Sequence, residues 1–259
     1  MITLDISTPG SARDSLLKLL GCTDVEAIDN KLFREDRALQ RIQDQMVDHK
    51  NVTVRGFHYS TINGLYSSSF DTVGVAGLFV QLSDSQSAIY RYLKDFGILI
   101  DTNSGIIRFM GKKFNIVDEA KRQHEGSAEY AWLSLNARFS RDYGVNAFLA
   151  DAVRDYSVIG NGPEILFDLD NALQLGGRLF QGWTSCISGR VVIDADIPFR
   201  KLKDSNDWRW LVSEMISRGF PESDDYDEFF ANHYSHEDIL YLNNDERITP
   251  DEIRCVTEI

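Results

Sequence analysis

The stretch Gly77-Leu-Phe-Val-Gln-Leu-Ser-Asp-Ser-Gln-Ser-Ala-Ile-Tyr90 decides how the rest of the chain is interpreted. It begins as a short apolar run with the composition of a strand, breaks at a Ser/Asp cluster and resumes with helical spacing. Ser83 or Asp84 is predicted to cap the new helix, because their side-chain oxygens accept from its first backbone N–H groups. A strand that turns into a helix forms a concave corner with backbone donors pointing into it. We expect a pocket for a polar small molecule here, with an ordinary strand–helix corner as the alternative.

The composition is that of a water-soluble globular chain. Of 259 residues, 43 % are apolar and 26 % are charged, and no apolar run approaches the length of about 20 residues that spans a membrane. The start of the chain has no basic region followed by an apolar segment, so no standard signal peptide is predicted. Three widely spaced cysteines form neither a disulfide framework nor a metal pattern, which favours a reducing compartment and predicts no metal site.

The charge balance bears on the choice of partner. With 27 Lys and Arg against 40 Asp and Glu, the formal net charge is −13. Duplex DNA binders normally place Lys and Arg on phosphates, so this balance counts against nucleic acid. An acidic protein is instead attracted to basic protein surfaces.

Patterning along the chain predicts an α+β fold with a helical N-terminal extension over 1–50 and a main domain over 51–259. Short strands mix with helices without strict strand–helix–strand alternation. Helices are predicted over 11–20, about 23–48, 62–69, 84–95, much of 118–158 and 206–218. Strands are predicted over 52–57, 74–82, 98–100, 106–109, 190–197, 226–234 and 253–259, the third and fourth as a hairpin.

Three segments of the chain form a set whose order and spacing match one known family. The first is His58-Tyr59-Ser60-Thr61 at a predicted strand end, the second has Phe79 with Ser87 eight and Tyr90 eleven residues later, and the third is Asp227-Glu228-Phe229-Phe230. The set resembles the ADP-ribosyltransferase superfamily, in the branch of poly-ADP-ribose polymerases and diphtheria-type toxins. That branch has His-Gly-Ser/Thr at the first segment, a Tyr at the place of Phe79 and its catalytic Glu at the place of Glu228. The resemblance covers about residues 51–259 and implies a split β-sheet core that takes NAD⁺ as a substrate.

The resemblance also implies roles around the reacting bond. Cleavage between nicotinamide and ribose passes through a ribose cation, which a carboxylate such as Glu228 stabilises. Nicotinamide is a flat amide, so it needs aromatic faces and amide-pairing groups. Phe79 and Tyr90 are predicted to enclose its ring, and Ser87 and the backbone of Tyr59 to pair its carboxamide.

Other residues are predicted to hold the remainder of NAD⁺. His58 is assigned to the adenosine ribose, with Ser60 belonging to the same strand-end motif. Arg55 is a candidate clamp for the diphosphate, which a guanidinium binds bidentately. A neighbouring strand carboxylate is the alternative partner for Arg55.

Departures from the family pattern narrow the expected activity. Tyr59 replaces a Gly, so backbone pairing survives while the side chain crowds the pocket, and Phe79 lacks the phenol of the usual Tyr. No His-x-Glu polymerase signature is present, which favours transfer of a single ADP-ribose. Tyr226, two residues before Glu228, leaves the second acidic or amide group missing and disfavours arginine as acceptor.

An Arg, Phe, Glu set resembles that of bacterial effectors that ADP-ribosylate a threonine of host ubiquitin, and Arg55, Phe79 and Glu228 fill it here. The acidic segment 222–228 complements a basic surface such as ubiquitin's. We therefore expect a monomeric virulence effector, made in the bacterial cytoplasm and delivered to the host cytosol. The alternatives are a DNA-modifying ADP-ribosyltransferase toxin and a degenerate ADP-ribosyltransferase fold that only binds a protein.

Overall fold

The computed structural model describes residues 1–22, 35–44, 48–67, 69–122, 130–141, 144–149, 162–203, 207–219 and 239–259. They form helices and mostly antiparallel sheets, which confirms the α+β class. The strands are β1 (Ile2–Leu4), β2 (Val52–Asn63), β3 (Val75–Ala76), β4 (Ile98–Asp101), β5 (Ile106–Phe109), β6 (Lys112–Asn115), β7 (Asn146–Phe148), β8 (Ile187–Pro198), β9 (Ile239–Tyr241), β10 (Arg247–Ile248) and β11 (Ile253–Glu258). The helices are α1 (Pro9–Leu19), α2 (Glu35–Asp44), α3 (Phe70–Val73), α4 (Leu78–Ser83), α5 (Ala88–Asp95), α6 (Ile116–Arg122), α7 (Ala131–Arg141), α8 (Glu164–Ala172), α9 (Arg178–Thr184) and α10 (Trp208–Gly219). No helix of the described ranges is long and apolar enough to cross a membrane.

A central sheet is built around the two longest strands. Its order is β11-β8-β2-β7-β9, and β1 lies parallel to β2. β2 and β8 pair antiparallel from Thr53↔Pro198 to Asn63↔Ile187. Both strands are rich in β-branched and aromatic residues, which pack well on a pleated surface.

The N-terminal residues belong to this sheet and to the main core. Leu4 and Ile6 are fully buried in the core cluster that also contains the inner face of the central sheet. Pro9 in the first turn of α1 and a capping box between Thr8 and Ser11 begin that helix, which packs against α10. The described part of 1–50 therefore shares its core with the main domain, and the division at residue 50 stays a prediction.

A second core lies beside the three-stranded sheet β4-β5-β6, whose first two strands form the predicted hairpin. Its buried side chains come from this sheet and from the segments α4 to α9, and they include Leu93, Ile107, Leu135, Leu169 and Trp183. Residues of the central sheet and of this second core both line one cavity, which is described below.

The strand predicted over 74–82 is wrong, because only β3 is extended and α4 follows it at once. The N–H of Gln81 donates to the carbonyl of Gly77 at 3.0 Å, which closes the first helical turn. Leu82 is buried in the second core and Leu78 packs against the same cluster, so i and i+4 share one face. The apolar run is too short for its periodicity to distinguish a helix from a strand. Burial of these two leucines in the second core therefore decides its conformation.

Two further expectations are corrected. The helix predicted over 62–69 is absent, because β2 continues to Asn63 and the buried Asn63 side chain accepts from the N–H of Leu65 at 3.1 Å to form a turn. The helical region predicted over 118–158 is interrupted, since β7 adds a strand to the central sheet. The strand predicted over 226–234 lies outside the described residues.

The remaining long elements agree with their predictions. β8 covers the strand predicted over 190–197 and ends at Pro198, and α10 covers most of the helix predicted over 206–218. β11 is the predicted terminal strand and pairs with β8. The hydrophobic periodicity within each of these segments is clear, so it predicts helix or strand without knowledge of the elements that pack against it.

Candidate functional site

A cavity of about 180 Å³ lies between the second half of β2 and the beginning of α5. Further parts of its wall come from residues 74–76, from α4 and from Trp183 of α9. Arg247 of β10, the strand that pairs with β3, also lines the cavity. We call it the β2–α5 cavity. The stretch from which the sequence analysis began thus lines a pocket, although through α4 and α5 rather than through a strand–helix corner.

Three of the predicted site residues line this cavity, namely His58, Ser60 and Ser87. His58 and Ser60 share one face of β2 because side chains alternate along a strand. Ser87 reaches the same space from the N-terminus of α5.

His58 is held in one protonation state by its surroundings. Its Nδ1 lies 2.7 Å from the backbone oxygen of Asn146, and since a carbonyl only accepts, Nδ1 carries the proton. Burial lowers the pKa of His58 below its ordinary value of 6.5, so the ring is neutral near pH 7. In this tautomer Nε2 has a lone pair that can accept a hydrogen bond from a hydroxyl group.

Ser87 is the N-cap of α5, a role that was assigned to Ser83 or Asp84 from the sequence. Its Oγ accepts from the N–H of Tyr90 at 3.1 Å and donates to the backbone oxygen of Gln81. A hydroxyl has one donor and two acceptor positions, so one acceptor position remains. Ser87 can therefore accept from a ligand N–H but has no proton left to donate.

Phe79 and Tyr90, the predicted walls of the nicotinamide site, are not among the lining residues of the cavity. The ring of Phe79 lies 5.2 Å from that of Phe139 of α7. Tyr90 lies on α5, where its backbone N–H receives the Ser87 cap. The structure therefore does not bring these two aromatic rings together with His58, Ser60 and Ser87.

Arg55 and Tyr59 lie on the opposite face of β2. The Arg55 guanidinium donates from Nε and Nη2 to the two carboxylate oxygens of Asp194, at 2.9 and 2.7 Å, and from Nη1 to Asp5 at 2.7 Å. The hydrogen bond to Asp194 raises the pKa of Arg55 further above its ordinary value. Tyr59 is buried against Phe148, with ring centroids 5.5 Å apart. The carboxylate named as the alternative partner of Arg55 is thus Asp194 on the neighbouring strand.

Sequence reasoning missed several residues of the cavity wall, among them Trp183 and Arg247. Trp183 is 2 % exposed, and its indole N–H has no hydrogen-bond partner among the described residues. Arg247 is exposed at the cavity. Each is more than 100 residues from His58 in the chain, and neither belongs to a motif, so only the tertiary structure could place them.

Glu228, the predicted catalytic carboxylate, lies outside the described residues, as do His124, His233, His236 and the acidic segment 222–228. Within the described ranges no group of three His, Cys, Asp or Glu side chains could hold a metal ion.

No protein-family model matches the chain, and neither the curated proteins nor the solved structures contain a match. What the protein does is therefore inferred from the residues of the β2–α5 cavity.

Proposed function

We propose that the chain is an NAD⁺-dependent mono-ADP-ribosyltransferase with a split-sheet ADP-ribosyltransferase core, and that the β2–α5 cavity holds the nicotinamide ring. The observation that carries the proposal is the meeting of His58, Ser60 and Ser87 in one cavity. These residues come from two of the three segments that resemble the superfamily, and α3 and β3 lie between those segments in the chain.

The size of the cavity supports a ligand of one ring. Its volume is about 180 Å³, and an engineered cavity of about 150 Å³ accepts benzene. Nicotinamide, a single ring with one small amide, is of this size, whereas the rest of a dinucleotide has to extend outside.

The polar groups of the wall fit a carboxamide. The buried Trp183 N–H has no partner in the part of the chain that the structure describes, and leaving such a donor unpaired costs about 1 to 3 kcal/mol. A carboxamide oxygen is an acceptor that would remove this cost. The amide N–H₂ of the same ligand could donate to the remaining acceptor position of Ser87.

The chemistry is a substitution at the ribose carbon that bears nicotinamide. The bond from that carbon to the ring nitrogen breaks, and its electron pair leaves with neutral nicotinamide. The oxygen of a protein hydroxyl bonds to the same carbon, and its proton passes to water. In this proposal the cavity positions the leaving group, and Glu228 stabilises the ribose cation.

The proposed acceptor is a protein side chain, with a threonine of ubiquitin as the leading candidate. The net charge of −13 supports a partner with a basic surface. Incubation with ubiquitin and NAD⁺, followed by intact-mass measurement, should show addition of one ADP-ribose. Glu228→Ala should reduce the transfer rate at least about 100-fold. An unchanged ubiquitin mass excludes this acceptor, whereas wild-type transfer by the variant excludes the mechanism.

The cavity itself is tested by filling it. Ser60→Leu adds bulk to the wall and should lower NAD⁺-dependent nicotinamide release by about tenfold or more, because a ring and the new side chain compete for the same space. Thr257→Leu makes a similar change at an exposed position of β11 and should leave release unchanged. Equal release by both variants places the nicotinamide elsewhere.

A second candidate is a protein-binding module with a degenerate ADP-ribosyltransferase fold. It is favoured by the engagement of Arg55 with two carboxylates and by the burial of Tyr59. Calorimetry that detects no NAD⁺ binding, together with the absence of nicotinamide release, would support it.

A further inference from the structure

Arg247 is held at the β2–α5 cavity by a short strand pair. β10 pairs antiparallel with β3, and Arg247 lies opposite Ala76, which also lines the cavity. Gly74 makes this approach possible. With φ at +70°, it passes so close to β10 that a Cβ there would lie 2.2 Å from the carbonyl oxygen of Ile248.

The backbone of Arg247 is fixed from the other side by Lys201. This buried ammonium donates to the carbonyl of Arg247 at 2.8 Å and pairs with Glu252 at 2.7 Å. A buried lysine with a carboxylate partner and a backbone acceptor has its charge satisfied. The position of Arg247 therefore does not depend on contacts of its own side chain.

The Arg247 side chain is available for a ligand. It is exposed, and it makes no hydrogen bond or ion pair within the described ranges. Among the described residues that line the cavity it is the one cation, since His58 is neutral near pH 7. Asp84 is the one acid of this lining, and its Oδ1 accepts from the N–H of Gln86 at 2.9 Å.

Arg55 differs from Arg247 in each of these respects. It lies on the far face of β2, and two carboxylates already bind its guanidinium. To bind a phosphate it would have to leave a bidentate partner, Asp194, that is itself only 9 % exposed.

We propose that Arg247, rather than Arg55, binds the phosphate next to the nicotinamide ribose. With the ring in the cavity, the ribose and its phosphate extend toward solvent past Arg247. A guanidinium matches a phosphate with two parallel hydrogen bonds. This inference rests on the proposed function, which identifies the ring in the cavity as nicotinamide. The phosphate contact itself is argued from the position of Arg247 at the cavity.

The test compares two ligands that differ by one phosphate, nicotinamide riboside and nicotinamide mononucleotide, by calorimetry with the full chain. Arg247→Gln should weaken binding of the mononucleotide by about tenfold or more, since a hydrogen bond to a charged group is lost. Binding of the riboside should stay within about twofold. Arg247→Lys, which keeps the charge without the bidentate geometry, should recover part of the affinity.

The matched control is Arg41→Gln. It removes the same charge from an exposed position of α2 that is not part of the cavity wall. Its mononucleotide affinity should equal that of the wild type, which separates a local contact from a change in net charge. Circular dichroism of each variant verifies folding.

The outcomes separate this inference from the proposed function. If the wild type binds both ligands and Arg247→Gln binds the mononucleotide as well as the wild type does, Arg247 does not bind the phosphate and the proposed function stands. If the wild type binds ADP-ribose in an Arg247-dependent way but neither nicotinamide compound, the phosphate contact stands and the nicotinamide cavity does not. Absence of binding by all three ligands overturns both.

Discussion

The two faces of β2 have opposite characters although their residues alternate in sequence. On one face Arg55 is bound by Asp194 and Asp5, and Tyr59 packs against Phe148. On the other face, His58 and Ser60 border a cavity together with the indole N–H of Trp183 and the guanidinium of Arg247, neither of which has a partner among the described residues. On the first face the guanidinium of Arg55 is bound by carboxylates of the protein, whereas residues of the second face line a space that a ligand can fill.

This difference separates residues that stabilise from residues that bind. Ion pairs and buried rings stabilise the folded chain without any ligand. An unpaired buried donor stabilises only the complex, because the ligand has to supply its hydrogen-bond acceptor. Substitutions on the first face should therefore change the free energy of unfolding, and substitutions on the second should change ligand affinity.

The largest effect is expected from Asp194→Ala, on the ion-paired face. The variant leaves the three-quarters buried Arg55 with Asp5 as its remaining carboxylate, and should lower the free energy of unfolding by about 3 kcal/mol. Urea unfolding measures it. Asp196→Ala is the control, because Asp196 pairs with Arg254 at 3.4 Å near the surface and should cost less than about 1 kcal/mol. Equal losses would contradict a special role for the Arg55–Asp194 pair.

The next largest loss of stability is expected at Gly74, where β10 comes close to the wall of the β2–α5 cavity. Gly74→Ala should lower the free energy of unfolding by about 2 kcal/mol, from backbone strain at positive φ and from collision with the Ile248 carbonyl. Gly97→Ala is a matched control, since Gly97 also has positive φ but nothing within 4 Å of its Cβ position. It should cost about 1 kcal/mol, and thermal unfolding of both variants isolates the collision. If the two losses are equal, the close approach of β10 carries no constraint.

A smaller effect follows from the lowered pKa of His58. Below pH 6.5 the imidazole of His58 is protonated in the unfolded chain but stays neutral in the folded chain, because folding lowers its pKa. The free energy of unfolding therefore falls as pH falls, by at most about 1.4 kcal/mol per pH unit from this residue. Above pH 6.5 both states are neutral and the effect is absent. His58→Gln should flatten the dependence between pH 7 and 5 in urea unfolding. An unchanged slope in the variant would mean that His58 is not the group held neutral by folding.

The smallest effect is expected at Ser87, which caps α5 and also lines the cavity. Ser87→Ala should lower the free energy of unfolding by about 1 kcal/mol through loss of the cap. Ser87→Thr keeps a hydroxyl that can accept from Tyr90 and donate to Gln81, so its stability should match the wild type. Nicotinamide affinity is then compared between Ser87→Ala and Ser87→Thr at a temperature at which both are folded, and equal affinities would restrict Ser87 to capping.

The alternation of side chains along a strand was sufficient to assign the residues of β2 to its two faces. Arg55 and His58 are three positions apart, so a regular strand places their side chains on opposite faces. The expectation that both side chains contact one NAD⁺ molecule conflicts with this alternation. The hairpin of β4 and β5 was equally readable, because its turn residues and alternating flanks are local signals. The conformation of 74–82 was not readable, since burial of Leu78 and Leu82 in a distant cluster decided it.

The sequence by itself determined the α+β class, the strands β8 and β11 and the helix α10, because these depend on periodicity within short segments. His58 and Ser87 were candidates through the family resemblance, and their role stays a prediction. Only the tertiary structure decided that Ser87 is a cap, that Arg55 is bound by Asp194 and that Trp183 and Arg247 join His58 at one cavity. The physical reason is that these roles depend on which groups from distant segments become neighbours. That choice is made by the packing of two cores and by the close approach of β10 to Gly74.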